Sequence, residues 1–190
     1  MTPANGICVE GGTVVLTATE QTGLINPALV YTWSSNSAAT TNTATYTCTT
    51  AGAFTVSVTA VGSLTAVSAP IASSITVKNA VPLITSAIFN PATAAVGEPV
   101  QLTVLFTDAS PNNLYTLTVV WGDNSANTQI STTDPTSSVR SLTTSHSFAK
   151  PGQASVSITV KDSAGAVTAP YSSTFKVTQA VSETPHSTSP

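Results

Sequence analysis

Apolar and polar residues alternate with a period of two along most of this 190-residue chain, and the alternating stretches are rich in Val, Thr, Ile and Tyr. Successive side chains of a β-strand point to opposite faces, so this is the pattern of half-buried strands. It predicts strands over Thr13 to Thr19, Leu29 to Trp33, Phe54 to Val61, Ser74 to Lys78 and Ile84 to Phe89. Further strands are predicted over Val100 to Thr107, Leu114 to Trp121, Val139 to Phe148, Ala154 to Val160 and Ser173 to Val177. Helical periodicity is almost absent. Short strands separated by Gly, Pro, Asn and Asp clusters predict an all-β chain of antiparallel sandwiches.

The strands repeat. Gly11-Gly12-Thr13-Val14-Val15-Leu16-Thr17, then Tyr31-Thr32-Trp33, then Tyr46-Thr47-Cys48 with Ala51-Gly52-Ala53-Phe54-Thr55-Val56 form one series. Gly97-Glu98-Pro99-Val100-Gln101-Leu102-Thr103, then Val119-Val120-Trp121, then His146-Ser147-Phe148 with Pro151-Gly152-Gln153-Ala154-Ser155-Val156 form a second. Two copies of one unit follow, the second about twelve residues longer between its Trp and its Gly. The expected domains are residues 1–80 and 81–179, joined end to end by the short linker Asn79-Ala80-Val81-Pro82. A polar tail, residues 180–190 with the run Ser182 to Pro190, lacks the apolar residues to pack a core.

Charge narrows the function classes. Only 7% of residues are charged and the net charge is -3, so no cationic surface exists to neutralise a run of phosphates, and nucleic acid is excluded as a partner. No apolar stretch reaches the ~18 to 20 residues that cross a bilayer, which argues against membrane insertion. The 21 Val and the small net charge set the chain apart from disordered sequences. Ser and Thr contribute 25 and 35 residues, and the first 77 positions hold only Glu10 and Glu20 as charges. A neutral hydroxyl surface of this kind costs little to desolvate when neighbours cover it, so it suits a subunit of an assembly. Met1 is followed by Thr-Pro-Ala-Asn-Gly without a secretory signal pattern, which reads as an excised mature segment or a protein not exported by the usual route. Cys8 and Cys48 allow one internal pairing; a bridge is favoured because their strands come within reach, against two buried free thiols.

The second unit resembles a PKD domain, an immunoglobulin-like sandwich whose members carry a Trp-Gly-Asp-Gly turn and a later His-x-Tyr strand followed by Gly-x-Tyr-x-Val. Trp121-Gly122-Asp123-Asn124-Ser125 matches the first motif, and His146-Ser147-Phe148 with Pro151-Gly152 and Val156-Ser157-Ile158 matches the second, across residues 83–178. Asn124 stands where Gly is usual and Ala154 where Tyr is usual. The first unit is similar to a divergent bacterial Ig-like relative, keeping Trp33, the Tyr46-x-Cys48 pair and the Ala-Gly-x-Phe-Thr-Val run. The resemblance implies two tandem immunoglobulin-like (PKD-like) sandwiches.

Each motif residue has a structural reading. Trp33 and Trp121, at the end of a central strand, are core anchors before they are sugar-stacking platforms. Gly122 and Asp123 let the chain leave the strand sharply, the carboxylate accepting backbone N–H groups within the turn. Asp108, Asp123 and Asp162 are calcium candidates on the condition that their loops meet, since that ion needs six to eight converging oxygens; otherwise no metal or cofactor is expected. His146 is expected to hydrogen-bond across the sheet, and no nucleophile or metal partner stands at a recognisable spacing from it or from His186. Phe148 and Gly152 complete the motif.

The chain is therefore expected to be non-enzymatic and structural. The leading expectation is a virion decoration or cement protein on a tailed-phage capsid or tail, docked through the charge-poor first unit and partnered by protein subunits of that assembly. The alternatives are a bacterial or archaeal cell-surface adhesin or filament module, and an accessory binding or spacer module of a secreted hydrolase with a glycan as partner. Oligomeric assembly and a virion-surface or extracellular location follow from these.

Overall fold

The computed structural model describes residues 6–19, 29–35, 39–62, 67–110, 114–133 and 139–180. The tail Ser182–Pro190, with His186, and the first five residues lie outside them. Every described element is a strand, so the fold is all-β. No helix among these residues is long and apolar enough to cross a membrane. The chain divides into two compact units, Met1–Ala80 with Ala109–Pro111, and Val81–Asp108 with Asn112–Pro190.

The first unit contains β1 (Ile7–Val9), β2 (Thr13–Thr17), β3 (Val30–Trp33), β4 (Thr43–Thr47), β5 (Gly52–Val61) and β6 (Ile71–Lys78). One sheet has the order β1-β6-β5-β3 and the other pairs β2 with β4. All its pairings are antiparallel except that of β1 with β6. Alternation sends Leu16, Trp33, Val56, Ile75 and Val77 inward, where they are buried together. With a single large ring fully inside, this core is small, and a disulfide between Cys8 and Cys48 ties β1 to the residue after β4.

The second unit contains β7 (Leu83–Asn90), β8 (Thr93–Ala95), β9 (Pro99–Thr107), β10 (Leu114–Val120) and β11 (Thr128–Thr133). It continues with β12 (Val139–Ser147), β13 (Gly152–Asp162) and β14 (Tyr171–Thr178). Its sheets have the orders β11-β10-β13-β14-β8 and β12-β9-β7. Here the core is aromatic: Phe106 meets Tyr115 edge-on at 4.9 Å between centroids, and Phe175 contacts Phe89 at 5.0 Å and Phe148 at 5.2 Å. No disulfide is found in this unit among the described residues.

Four strands escape the alternation analysis. β1 and β8 are three residues each, too short to show a period, and exist because the chain runs parallel along β6 and β14. β4 (Thr-Ala-Thr-Tyr-Thr) has Ala and Tyr on its inner face instead of a Val or Ile run, and β11 occupies the extra length between Trp121 and Gly152. A further correction concerns Trp33. Strand β3 is an edge strand, not a central one, because the first unit has no described counterpart of β11 beside it.

The repeat is offset by two residues at the tryptophans. Gly52 faces Val77 and Gly152 faces Val177, so β5 and β13 are equivalent position by position. Yet Trp33 pairs with Val58, whereas Val119, two residues before Trp121, pairs with Ile158. An even shift leaves each residue on its own face, so both indoles still enter the core.

Candidate functional site

The residues that carry the sequence motif converge at one end of the second unit. Strand β10 stops at Val120, and Gly122 turns the chain in the left-handed region with φ of 75°. A Cβ on Gly122 would lie 2.2 Å from the Ser155 carbonyl oxygen, so the turn hugs β13 too closely for any side chain. Asn124 is also left-handed, with φ of 66°. Asn tolerates that conformation better than other side-chain-bearing residues, which explains how it replaces the usual Gly.

Asp123 is the hub. Its Oδ1 accepts the Ser125 N–H at 3.0 Å and the Ser125 hydroxyl at 2.5 Å, while Oδ2 meets His146 Nε2 at 2.8 Å. Burial works against the charged form, but the hydrogen bonds from the Ser125 side chain, His146 and the Ser125 N–H outweigh it and hold the carboxyl at about 2. A carboxylate only accepts, so His146 Nε2 carries the proton and donates.

The imidazole is then clamped from its faces and edges. It stacks on the Trp121 indole at 4.4 Å with 9° between planes and stands perpendicular to Phe148 at 4.7 Å. Trp121 is 1% exposed, and its Nε1 donates to the Thr128 hydroxyl at 2.9 Å. His146 belongs to β12 and Asp123 follows β10, so the bond joins the two sheets of the sandwich. The expectation of a bond across one sheet is corrected accordingly: inward alternation along β12 aims the ring at the opposite layer.

Ser, Asp and His in contact invite a catalytic reading, which the geometry declines. A nucleophile needs its base as direct neighbour, whereas here the carboxylate sits between Ser125 and His146 and takes a hydrogen bond from each. A cleft of about 230 Å³ opens beside the turn, lined by Asp123, Asn124, Lys150, Pro151 and Gln153. It falls below the ~300 Å³ of ordinary small-molecule sites.

The other candidate acids lie at the far end of β10. Asp162 pairs in register with Tyr115 at the start of that strand, while Asp123 follows its end, roughly 17 Å along five strand residues. Asp108 Oδ2 accepts the Tyr115 hydroxyl at 3.0 Å, and Asp162 Oδ1 accepts the Ala166 N–H at 2.8 Å. The structure therefore brings Asp108 and Asp162 near one sandwich end and leaves Asp123 at the other. Among the described residues no group of three or more His, Cys, Asp or Glu side chains could hold a metal ion.

Two polar centres have no signal in the strand pattern. Arg140 is buried, donates to the Asp108 carbonyl at 2.8 Å and lies 5.1 Å over the Tyr115 ring. Glu10 is buried in the first unit and accepts the N–H groups of Ala51 at 2.7 Å and Ala80 at 3.1 Å. An inward charge within an alternating stretch, as Arg140 has in β12, is the one clue available beforehand. In the first unit Trp33 Nε1 donates to the Thr41 carbonyl at 3.0 Å, and Tyr46 and Cys48 stand where His146 and Phe148 stand in the second.

The PKD domain family matches residues 79–178, which span β7 to β14 and more than half of the chain. No curated protein matches the sequence. Among solved structures, the PKD domain of an M14-like peptidase from Thermoplasmatales archaeon SCGC AB-540-F20 is 19% identical, over 53% of this chain and 96% of that one, with a TM-score of 0.38. The fibronectin(III)-like modules of Clostridium thermocellum CbhA are 19% identical over 91% of this chain and 89% of theirs, with a TM-score of 0.36. The D00-D0 domain of intimin is 16% identical over 94% and 98%, with a TM-score of 0.39. None of these likenesses bears on function. The matched span contains the Trp121–Ser125 turn, the His146-x-Phe148 strand and the Gly152 turn together, and the chain belongs to the PKD domain family.

Proposed function

We propose that this chain is a non-enzymatic structural module of an extracellular assembly, held at a cell surface. The observation that carries the reading is the Cys8–Cys48 disulfide, because such bridges persist in oxidising compartments and are reduced in the cytosol. Membership of the PKD family supports it, as does the locked state of the one Ser–Asp–His contact. The described surface of the first unit carries neutral hydroxyls, with Lys78 as the exception among its strands, which suits packing against neighbours. The large apolar side chains it exposes are aliphatic, so no flat ring is offered to a sugar face. The scarcity of charge would equally suit a lattice on a tailed-phage particle. A bridge formed only outside the cytosol makes the cell surface the preferred placement.

Immunogold electron microscopy of the source cells, using an antibody raised against this chain, separates these placements. Labelling of cell envelopes or extracellular fibres is the expected result. Regular labelling of virus particles would move the module to a virion, and labelling confined to the cytosol would sink the extracellular reading. Retention on insoluble polysaccharide would revive the hydrolase-accessory reading; none is expected.

A further inference from the structure

We propose that the first unit pairs with a second copy of this chain, β2 against β2, antiparallel and edge to edge. The ladder itself says which groups are available. Cys48 N–H donates to the Gly12 carbonyl at 3.0 Å and Ala18 N–H donates to the Asn42 carbonyl at 2.8 Å. Hydrogen-bonded residues alternate along an antiparallel strand, so Gly12, Val14, Leu16 and Ala18 bond to β4. The N–H and C=O groups of Thr13, Val15 and Thr17 then point away from it. Among the described residues no strand takes them.

The second unit shows what this edge is built to receive. In the repeat, Val15 and Thr17 stand at the positions of Gln101 and Thr103, which pair with Asn90 and Ile88 of β7. Strand β7 thus seals in the second unit the side that is open in the first, and it does so antiparallel. The open edge also lacks the usual defences against pairing. Thr13–Thr17 has no charge, no Pro and no bulge, whereas β7, itself an edge strand, carries a register irregularity between Ile84 and Ser86.

The occupant follows from the edge's own symmetry. Thr13, Val15 and Thr17 read the same in both directions, so a two-fold axis through Val15 sets Val15 opposite Val15 of the second copy, and Thr13 opposite Thr17. These are β-branched cross-strand pairs with no like charges to repel. Val15 is 60% exposed, a large apolar side chain left in water until the partner covers it. A charged strand would find no counter-charge there: the described stretch Gly11–Thr19 has none. The pairing does not depend on where the protein resides, and it is measured on the purified chain.

The test is a cross-linking pair. Cα atoms of directly opposed, hydrogen-bonded residues lie about 5.5 Å apart, within disulfide range, and the native cysteines are already bonded to each other. Val15→Cys should give a covalent dimer under mild oxidation, with at least roughly tenfold less from Thr45→Cys, which lies on the outer side of β4. Sedimentation velocity of the unmodified chain over a roughly hundred-fold concentration range should show monomer passing to dimer. Val15→Lys should remain monomeric with its melting temperature unchanged, since the side chain is already in water. A chain that stays monomeric throughout, or equal cross-linking through Thr45→Cys, would overturn the β2 pairing.

Discussion

At the residue scale, the Trp121–Ser125 turn concentrates the constraints. Gly122 combines a positive φ with a backbone oxygen where a Cβ would go, and neither can be relieved by a rotamer change. Gly122→Ala should lower stability by on the order of 3 kcal/mol in denaturant titration, since the turn must leave β13. Asn124→Gly should be neutral or stabilising by up to about 1 kcal/mol, whereas Asn124→Val should cost about 1 to 2 kcal/mol, because a branched side chain meets the left-handed region without a local hydrogen bond. The Asp123 carboxyl makes a pH prediction. Its value falls from 3.8 to about 2 on folding, so the unfolded chain binds the proton more tightly. The stabilisation is complete above pH 3.8 and is lost as pH drops through about 2. Melting curves should show Asp123→Asn less stable than the unmodified protein at neutral pH, with the gap closing over that window; a gap that persists at pH 2 would mean the carboxylate's charge is not what matters.

At the element scale, the two units solve the same packing problem with different means. Where the second unit places Phe148 under its sheet, the first has Cys48 bonded to Cys8 on β1, at the position that Ala94 holds on β8. The bridge closes a sequence separation of 40 residues, and chain-entropy estimates for such a loop give about 4 kcal/mol. Reductant, or paired Cys8→Ala and Cys48→Ala changes, should therefore lower the first unit's stability by about that much. An unchanged unfolding midpoint would show that the residual core of Leu16, Trp33, Val56 and Ile75 suffices. The sequence repeat marked the equivalent strands but concealed the two-residue offset between β3 and β10. Pairing partners, not motif spacing, set register.

At the scale of the whole molecule, two cores of unequal make-up predict unequal stability. The second buries Trp121, Tyr115, Phe106, Phe148 and Phe175 completely, and the first relies on one such ring and a bridge. Calorimetry should resolve two transitions, with reductant moving the lower one and leaving the upper one in place. A single transition that shifts as a unit would show that the cores unfold cooperatively.

The sequence by itself determined that the chain is all-β, that it contains a repeated unit and that its second half has the PKD motifs. Strand alternation, turn residues and the Trp-Gly-Asp turn are local signals, written in consecutive residues. It also marked Asp123, His146, Trp121 and Phe148 as one motif, though not as one contact. Tertiary structure alone decided that His146 donates to Asp123 between the layers, that Asp108 and Asp162 sit at the opposite end from Asp123, and that Arg140 and Glu10 are buried charges with backbone acceptors and donors. It also decided that β3 and β2 are edges. Those facts depend on which distant strands become neighbours, and pairing across a sandwich is settled by the packing of both sheets at once rather than by the residues of either strand.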